Sequence, residues 1–381
     1  MGLGVAGVPL RELGLVLLVA ASLTYLCTGA VRVIMVSSGR MAEIRERDVH
    51  RVPTPRLGGV AMFSGFLAAV FLADQLPALT RGFQPVTPEM NAVTWAAFII
   101  VMVGVLDDLL ELDAFTKLAG QILAGFVMSL LGLTWSVIYI PFGGGTTLVL
   151  DPVASTILTV LLTVTLINAI NFVDGLDGLA AGLGGIAGLS ILMFSLTVLH
   201  DQGGMVSAYP PAIIAAALVG ICAGILPHNF EPARIFMGDT GSMLIGLLLA
   251  AGSTSASGKI DMSLFGVADV LALMSPLIVV VAAVFVPLLD LVMAVVRRMR
   301  AGKSPFSADK MHLHHRLLRM GHTHRRVVLV LYSWVSVVAF GAVAFSIVPP
   351  LYAIAFIVIS AAVAAVFTWR PRQRSQPTAV G

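Results

Sequence analysis

The chain has 381 residues, 58% of them hydrophobic and 11% charged, with a formal net charge of +3. A soluble domain carries roughly 25% charged residues, so a water-soluble fold is excluded and the chain is an integral membrane protein. Its two cysteines, Cys27 and Cys222, both lie in apolar runs, which excludes a disulfide framework.

In chain order, stretches of about 20 apolar residues predict about eleven membrane spans. They fall near 10–36, 57–76, 92–106, 118–135, 153–170, 179–199, 210–228, 240–256, 265–296, 327–347 and 350–369. The first is no cleaved signal: Leu13 to Val36 is too long, and basic charge follows it rather than precedes it. The ninth is too long for one straight crossing and contains Pro276 and Pro287, so a break or kink is expected there. The connection 136–151 alternates around three glycines and is expected to form a short hairpin. The result is a single all-α polytopic domain over 1–381 with a short basic tail at 370–381. There is no GxxxxGK[ST] phosphate loop, no internal repeat and nothing that suggests nucleic acid.

Orientation follows from the basic residues. With the N-terminus outside, the connections 32–56, 107–117, 229–239, 297–326 and the tail after 369 face inward, and they hold 20 of the 23 Lys and Arg. Only Arg11, Arg81 and Lys259 fall outside, so the positive-inside rule gives N-out and C-in.

The informative polar residues share this inner face. The first inner loop carries His50, Arg51, Pro53-Thr54-Pro55-Arg56 and the pair Gly58-Gly59; its arginines suit phosphate, or simply anionic headgroups. The second carries Asp107-Asp108, then Lys117. Adjacent aspartates repel one another near lipid, which makes sense if a cation or phosphate chemistry sits beside them. The third is Asn168-Ala-Ile-Asn171-Phe-Val-Asp174-Gly-Leu-Asp177-Gly-Leu: two amides and two acids in a greasy chain, and an acid at membrane depth is a functional-site hypothesis by default. Were its second half helical, Asp174 and Asp177 would share one face, as do Asn168 and Asn171.

The fourth carries Pro227-His228-Asn229 and then Phe236-Met-Gly-Asp239-Thr-Gly-Ser242, where the bland reading of Asp239 is a helix N-cap. The fifth, Arg297 to Arg326, holds nine basic residues and five of the eight histidines, including His312-Leu-His314-His315. No cysteine stands nearby and the spacing fits no structural zinc site, so phosphate binding suits these histidines better. Paired acids, amides and a basic wall on one membrane face are the equipment of metal-assisted phosphoryl transfer between a soluble donor and a membrane acceptor.

These motifs resemble the polyprenyl-phosphate N-acetylhexosamine-1-phosphate transferases. Pro-Thr-Pro-Arg-Leu-Gly-Gly, Asp-Asp, Asn-x-x-Asn-Phe-Val-Asp-Gly-Leu-Asp-Gly, Phe-Met-Gly-Asp-Thr-Gly-Ser and His-Leu-His-His stand in the family's order from 53 to 315. The histidine motif is similar to that of the WecA/TagO branch and departs from the MraY ending, since Arg316-Leu317 follow. Arg45 to His50 and Asp309 to Leu318 look actinobacterial, similar to enzymes that use decaprenyl phosphate.

The resemblance implies transfer of GlcNAc-1-phosphate from UDP-GlcNAc to polyprenyl phosphate, releasing UMP at the cytoplasmic face of the plasma membrane. It would be an early step of a cell-wall polymer such as the arabinogalactan linker. It implies Mg²⁺ (with Mn²⁺ as a substitute) on Asp239 and Asn171, and Phe236 stacked on uracil with Asn229 and Asp177 near the nucleoside. Lys117, His314 and His315 would contact the diphosphate, and Asp107 would be the base or orienting group, with Asp108 nearby. Asp174 matches an important position without one role. His50, Arg51, Arg56, Asn168 and His312 are further candidates for substrate contact, and homodimers occur in the family. The alternatives are a phospho-MurNAc-pentapeptide transferase and, from another class, a lipid-linked sugar flippase. Against the flippase, the charges gather at one face rather than the midplane, without an inverted repeat.

Overall fold

The computed structural model describes residues 8–38, 54–140, 146–201, 208–257 and 321–369, with five single positions between 281 and 300. Within them run ten long helices: α1 (Leu10–Ser37), α2 (Gly58–Gln75), α3 (Glu89–Leu110), α4 (Ala114–Leu130), α5 (Pro152–Val173), α6 (Leu179–Asp201), α7 (Tyr209–Asn229), α8 (Gly238–Ser257), α9 (His324–Ile347) and α10 (Pro350–Trp369). Eight are long and apolar enough to cross a membrane. Ten of the predicted spans coincide with these helices; the ninth, 265–296, lies outside the described residues except at three single positions. The hairpin is present as antiparallel β1 (Val137–Ile140) and β2 (Thr146–Val149), with Val137 opposite Val149.

Caps explain where several helices begin. Asp113 accepts from the amides of Phe115 and Thr116 and starts α4 four residues before the predicted 118. Asp151 does the same for Val153 and Ala154 at α5, with Pro152 in the first turn. α4 then stops at Leu130, short of the predicted 135, because Gly132 turns the chain with φ +100°.

Helix α8 is the centre of the bundle. Every residue from Thr240 to Ala256 is buried, and α2, α3, α5, α6 and α7 all pack on it. At the far end Ser255 donates a short hydrogen bond to the buried Glu89 at the start of α3. By contrast α10 is only 11% buried and lies against α9, presenting its apolar residues outward as a lipid-facing helix does.

The close fit at the near end of α8 rests on glycine. A Cβ on Gly59 would fall on the backbone of Thr240 and Gly241, and one on Gly104 would fall on Thr240. A Cβ on Gly58 would lie 2.8 Å from the Phe236 carbonyl oxygen. The segment before α2 is also tied on by backbone: Phe236 N–H donates to Pro55 O at 2.9 Å, Gly58 N–H to Phe236 O at 3.0 Å and Gly59 N–H to Met237 O at 2.8 Å.

Gly59→Ala is therefore expected to destabilise the protein by about 1–3 kcal/mol, the usual range for overpacking. Gly14→Ala on α1, where a Cβ meets nothing within 4 Å, should leave the thermal unfolding midpoint in detergent unchanged or slightly raised. Equal midpoints for the two variants would contradict the packing described.

Candidate active site

Four helices bring their ends together around the start of α8. From the end of α3 come Asp107 and Asp108, from the first turn of α4 Lys117, and from the last turn of α5 Asn171. The Lys117 ammonium lies between two carboxylates, 2.5 Å from Asp107 Oδ2 and 2.8 Å from Asp239 Oδ2. The other oxygen of Asp107 accepts from the Leu112 amide at 2.9 Å. Asn171 Nδ2 donates to Asp239 Oδ1 at 2.9 Å and to Ser242 Oγ at 3.0 Å. Thus one lysine holds acids 132 residues apart, and one amide holds the second acid from the opposite side.

Asp108 has a different task. Its Oδ1 accepts from the Asp239 amide at 2.9 Å, and its Oδ2 from the Thr240 amide at 3.0 Å and hydroxyl at 2.6 Å. It is the cap of α8, supplied by another helix. The bland role available to Asp239 is thereby taken by Asp108, and the Asp239 side chain turns to Lys117 and Asn171. Gly238 makes this possible: it sits at φ +68°, and a Cβ there would collide with the Asp108 carboxylate.

The conditional helix over Asp174 and Asp177 is not formed. Residues 174–178 make a turn between α5 and α6, with Gly178 at φ +76°. Asp174 is half-buried at the end of α5. Burial and the nearby charges of Asp239, Asp108 and Asp177 push its carboxyl up to about 8, with Arg56 pulling it back. Asp177 is buried and accepts from the Ala233 amide at 2.9 Å. Asn229, also buried, accepts from Gly178 N–H at 3.1 Å and donates to Ile235 O at 3.1 Å, so its amide is committed to the backbone. Phe236 is half-buried beside these turns.

Asn168 sits one turn before Asn171, exposed, and donates to Gln121 Oε1 at 2.6 Å. His50, Arg51, His312, His314 and His315 lie outside the described residues. Sequence reasoning missed Gln121, Thr240 and Ser242. The signal was present: Gln121 is one helical turn beyond Lys117, and Thr240 and Ser242 lie inside the Gly-Asp-Thr-Gly-Ser turn.

The donors at this site are hard oxygens: the Asp239 carboxylate, the Asn171 amide oxygen and the Ser242 hydroxyl. Such donors fit a hard cation such as Mg²⁺, which takes one or two protein carboxylates and completes its shell with phosphate and water. Burial first, and then the charges of Asp239, Asp108 and Asp177, raise the Asp174 carboxyl, and a cation bound beside them would relieve the charge part.

The profile of glycosyl transferase family 4 matches residues 90–257, the stretch that carries Asp107 through Asp239. The fold and the site define a polytopic membrane transferase, and the chain belongs to this family, that of the polyprenyl-phosphate N-acetylhexosamine-1-phosphate transferases. It is 58% identical to the decaprenyl-phosphate N-acetylglucosaminephosphotransferase of Mycobacterium tuberculosis over 337 residues, 88% of this chain and 83% of that protein. The enzyme of the same name from Mycolicibacterium smegmatis is 56% identical over 98% of this chain and 91% of its own length. A probable undecaprenyl-phosphate N-acetylglucosaminyl 1-phosphate transferase of Bacillus subtilis is 34% identical over 80% of this chain and 77% of its own.

The raised Asp174 carboxyl has a sign that can be checked. From its ordinary value to about 8, the folded protein holds a proton that the unfolded chain releases, so stability falls as pH rises through that window. In detergent with a chelator present, the unfolding midpoint should fall over this range, and Asp174→Asn should flatten the slope. An identical slope in the variant would remove Asp174 as its source.

Proposed function

We propose that the chain transfers GlcNAc-1-phosphate from UDP-GlcNAc to decaprenyl phosphate. The names of the mycobacterial relatives, at 56–58% identity over most of the chain, support the acceptor and the transferred group. The Asp107–Lys117–Asp239–Asn171 cluster is the single structural observation that carries the reading. A lipid phosphate oxygen attacks the β-phosphorus of the donor, a new P–O bond forms, the bond to the α-phosphate bridge breaks, and UMP leaves. The product is decaprenyl-diphosphate-GlcNAc.

The residues divide this work by charge. Lys117 offers an ammonium to the diphosphate once Asp107 and Asp239 have other partners, while Asp107 orients the attacking phosphate. Bound at Asp239 and Asn171, Mg²⁺ would neutralise charge on the diphosphate. Positioning and charge stabilisation carry most phosphoryl transfer, so no covalent help is required. Direct attack is favoured over an intermediate on Asp108 because that carboxylate already accepts three hydrogen bonds as the cap of α8. The inner-face basic residues support an N-out, C-in protein of eleven spans with this site at the cytoplasmic side of the plasma membrane.

The deciding assay uses purified protein in detergent with labelled UDP-GlcNAc, decaprenyl phosphate and Mg²⁺. Label should enter the organic phase and UMP should appear, with no membrane gradient; an unlabelled organic phase would sink the central claim. Asp239→Ala should remove at least about 10²-fold of the turnover while the protein stays folded, in line with loss of one preorganised electrostatic group. Near-normal Mg²⁺-dependent activity in that variant would overturn the metal assignment.

A further inference from the structure

Helix α9 packs mainly on α6 and α10, and two of its side chains hold the turns beside the acidic cluster. The Tyr332 hydroxyl donates a short hydrogen bond to the Gly178 carbonyl. Seven residues earlier on the same face, Arg325 donates to the Glu231 carbonyl from Nε at 3.0 Å and Nη2 at 2.6 Å. Gly178 is thus gripped on both backbone groups by side chains of different helices: Asn229 of α7 takes its N–H and Tyr332 of α9 its carbonyl. The grip falls on a glycine in the left-handed region, φ +76°, where the chain reverses between α5 and α6.

The packing is built for this contact. Gly182 leaves room for the Tyr332 ring, which a Cβ there would strike. Around it Val173, Leu176, Leu179 and Leu183 form a hydrophobic cluster with Val328 and Leu331, separate from the main core. This cluster sits directly beneath the turn that carries Asp174 and Asp177. Asp177 in turn holds the 230–236 loop through Ala233, so the two turns and α9 form one unit.

We infer that Tyr332 is a positioning residue for the donor subsite: its hydroxyl fixes the Asp174–Leu179 turn, and through Asp177 and Asn229 the 230–236 loop, in the arrangement that receives the nucleotide. This rests on the proposed reaction, and on the nucleotide lying over Asp177, Asn229 and Phe236. In the proposed reaction the lipid phosphate, oriented by Asp107, lies on the other flank beside Lys117 and Gln121 of α4, whereas the α9 cluster meets α5 at its last residue, Val173.

The two flanks give the test its contrast. Tyr332→Phe keeps the ring on Gly182 and removes only the hydroxyl. Losing one hydrogen bond to a turn of this kind should raise KM for UDP-GlcNAc about fivefold. KM for decaprenyl phosphate should stay within about twofold, since no contact on that flank changes. An unchanged donor KM, or equal rises for both substrates, overturns the inference, because a merely structural tyrosine would lower the active fraction without separating the two. If Tyr332→Phe does not fold, the exposed change Arg325→Gln decides in its place: a selective rise in donor KM upholds the unit, and an unchanged donor KM overturns it. A wild-type protein that releases no UMP overturns the proposed reaction and this inference together. An active wild type with an indifferent variant overturns this inference alone.

Discussion

A helix that begins inside protein leaves its first amide N–H groups in need of partners. At α8 the Asp108 carboxylate meets that demand from the end of α3. Much else follows from this contact. For a carboxylate of α3 to reach the first amides of α8, the two helices must meet backbone to backbone. Hence Gly104 faces Thr240, Gly238 faces Asp108, and Gly59 of α2 faces Gly241. Once Asp108 serves as the cap, Asp239 is released to point sideways, toward Lys117 and Asn171. Position and chemistry at this end of the bundle are therefore one problem: the same close approach that packs the helices sets the direction of the reactive acid.

The second governing fact is an excess of negative charge in a confined space. Asp107, Asp108, Asp174, Asp177 and Asp239 gather here, and burial together with the charges of Asp239, Asp108 and Asp177 raises the proton affinity of Asp174. Lys117 bridges two of them and Arg56 acts on a third. Such a cluster costs stability unless something positive joins it, which is the electrostatic ground for the metal in the proposed reaction.

The membrane class and ten of the helices were legible in the sequence because a lipid span is an unbroken apolar run, and such runs are hard to mistake. The gathering of Asp107, Lys117, Asn171 and Asp239 was legible because polar residues at membrane depth are few and the charge count put them on one face. Less was readable where a side chain serves a helix other than its own. Nothing in Asp107-Asp108 says which of two adjacent acids caps a helix 130 residues away; that depends on how α3 rotates against α8. The 174–178 segment was open to a helical reading because its acids have helical spacing, but Gly175 and Gly178 favour a turn, and Gly178 adopts a left-handed conformation. Tyr332 gave no signal at all: one tyrosine in an apolar helix looks like any lipid-edge aromatic until Gly182 is found beneath it.

The far end of α8 completes the picture. Ser255 is fastened to Glu89 of α3 there, while Asp108 of the same α3 fastens the near end. Two helices joined at both extremities behave as a braced frame rather than a rocker: neither can slide or tilt against the other without breaking a buried polar contact. Acids mounted on such a frame keep a fixed spacing, so whatever binds between them meets a preset geometry instead of one it must assemble.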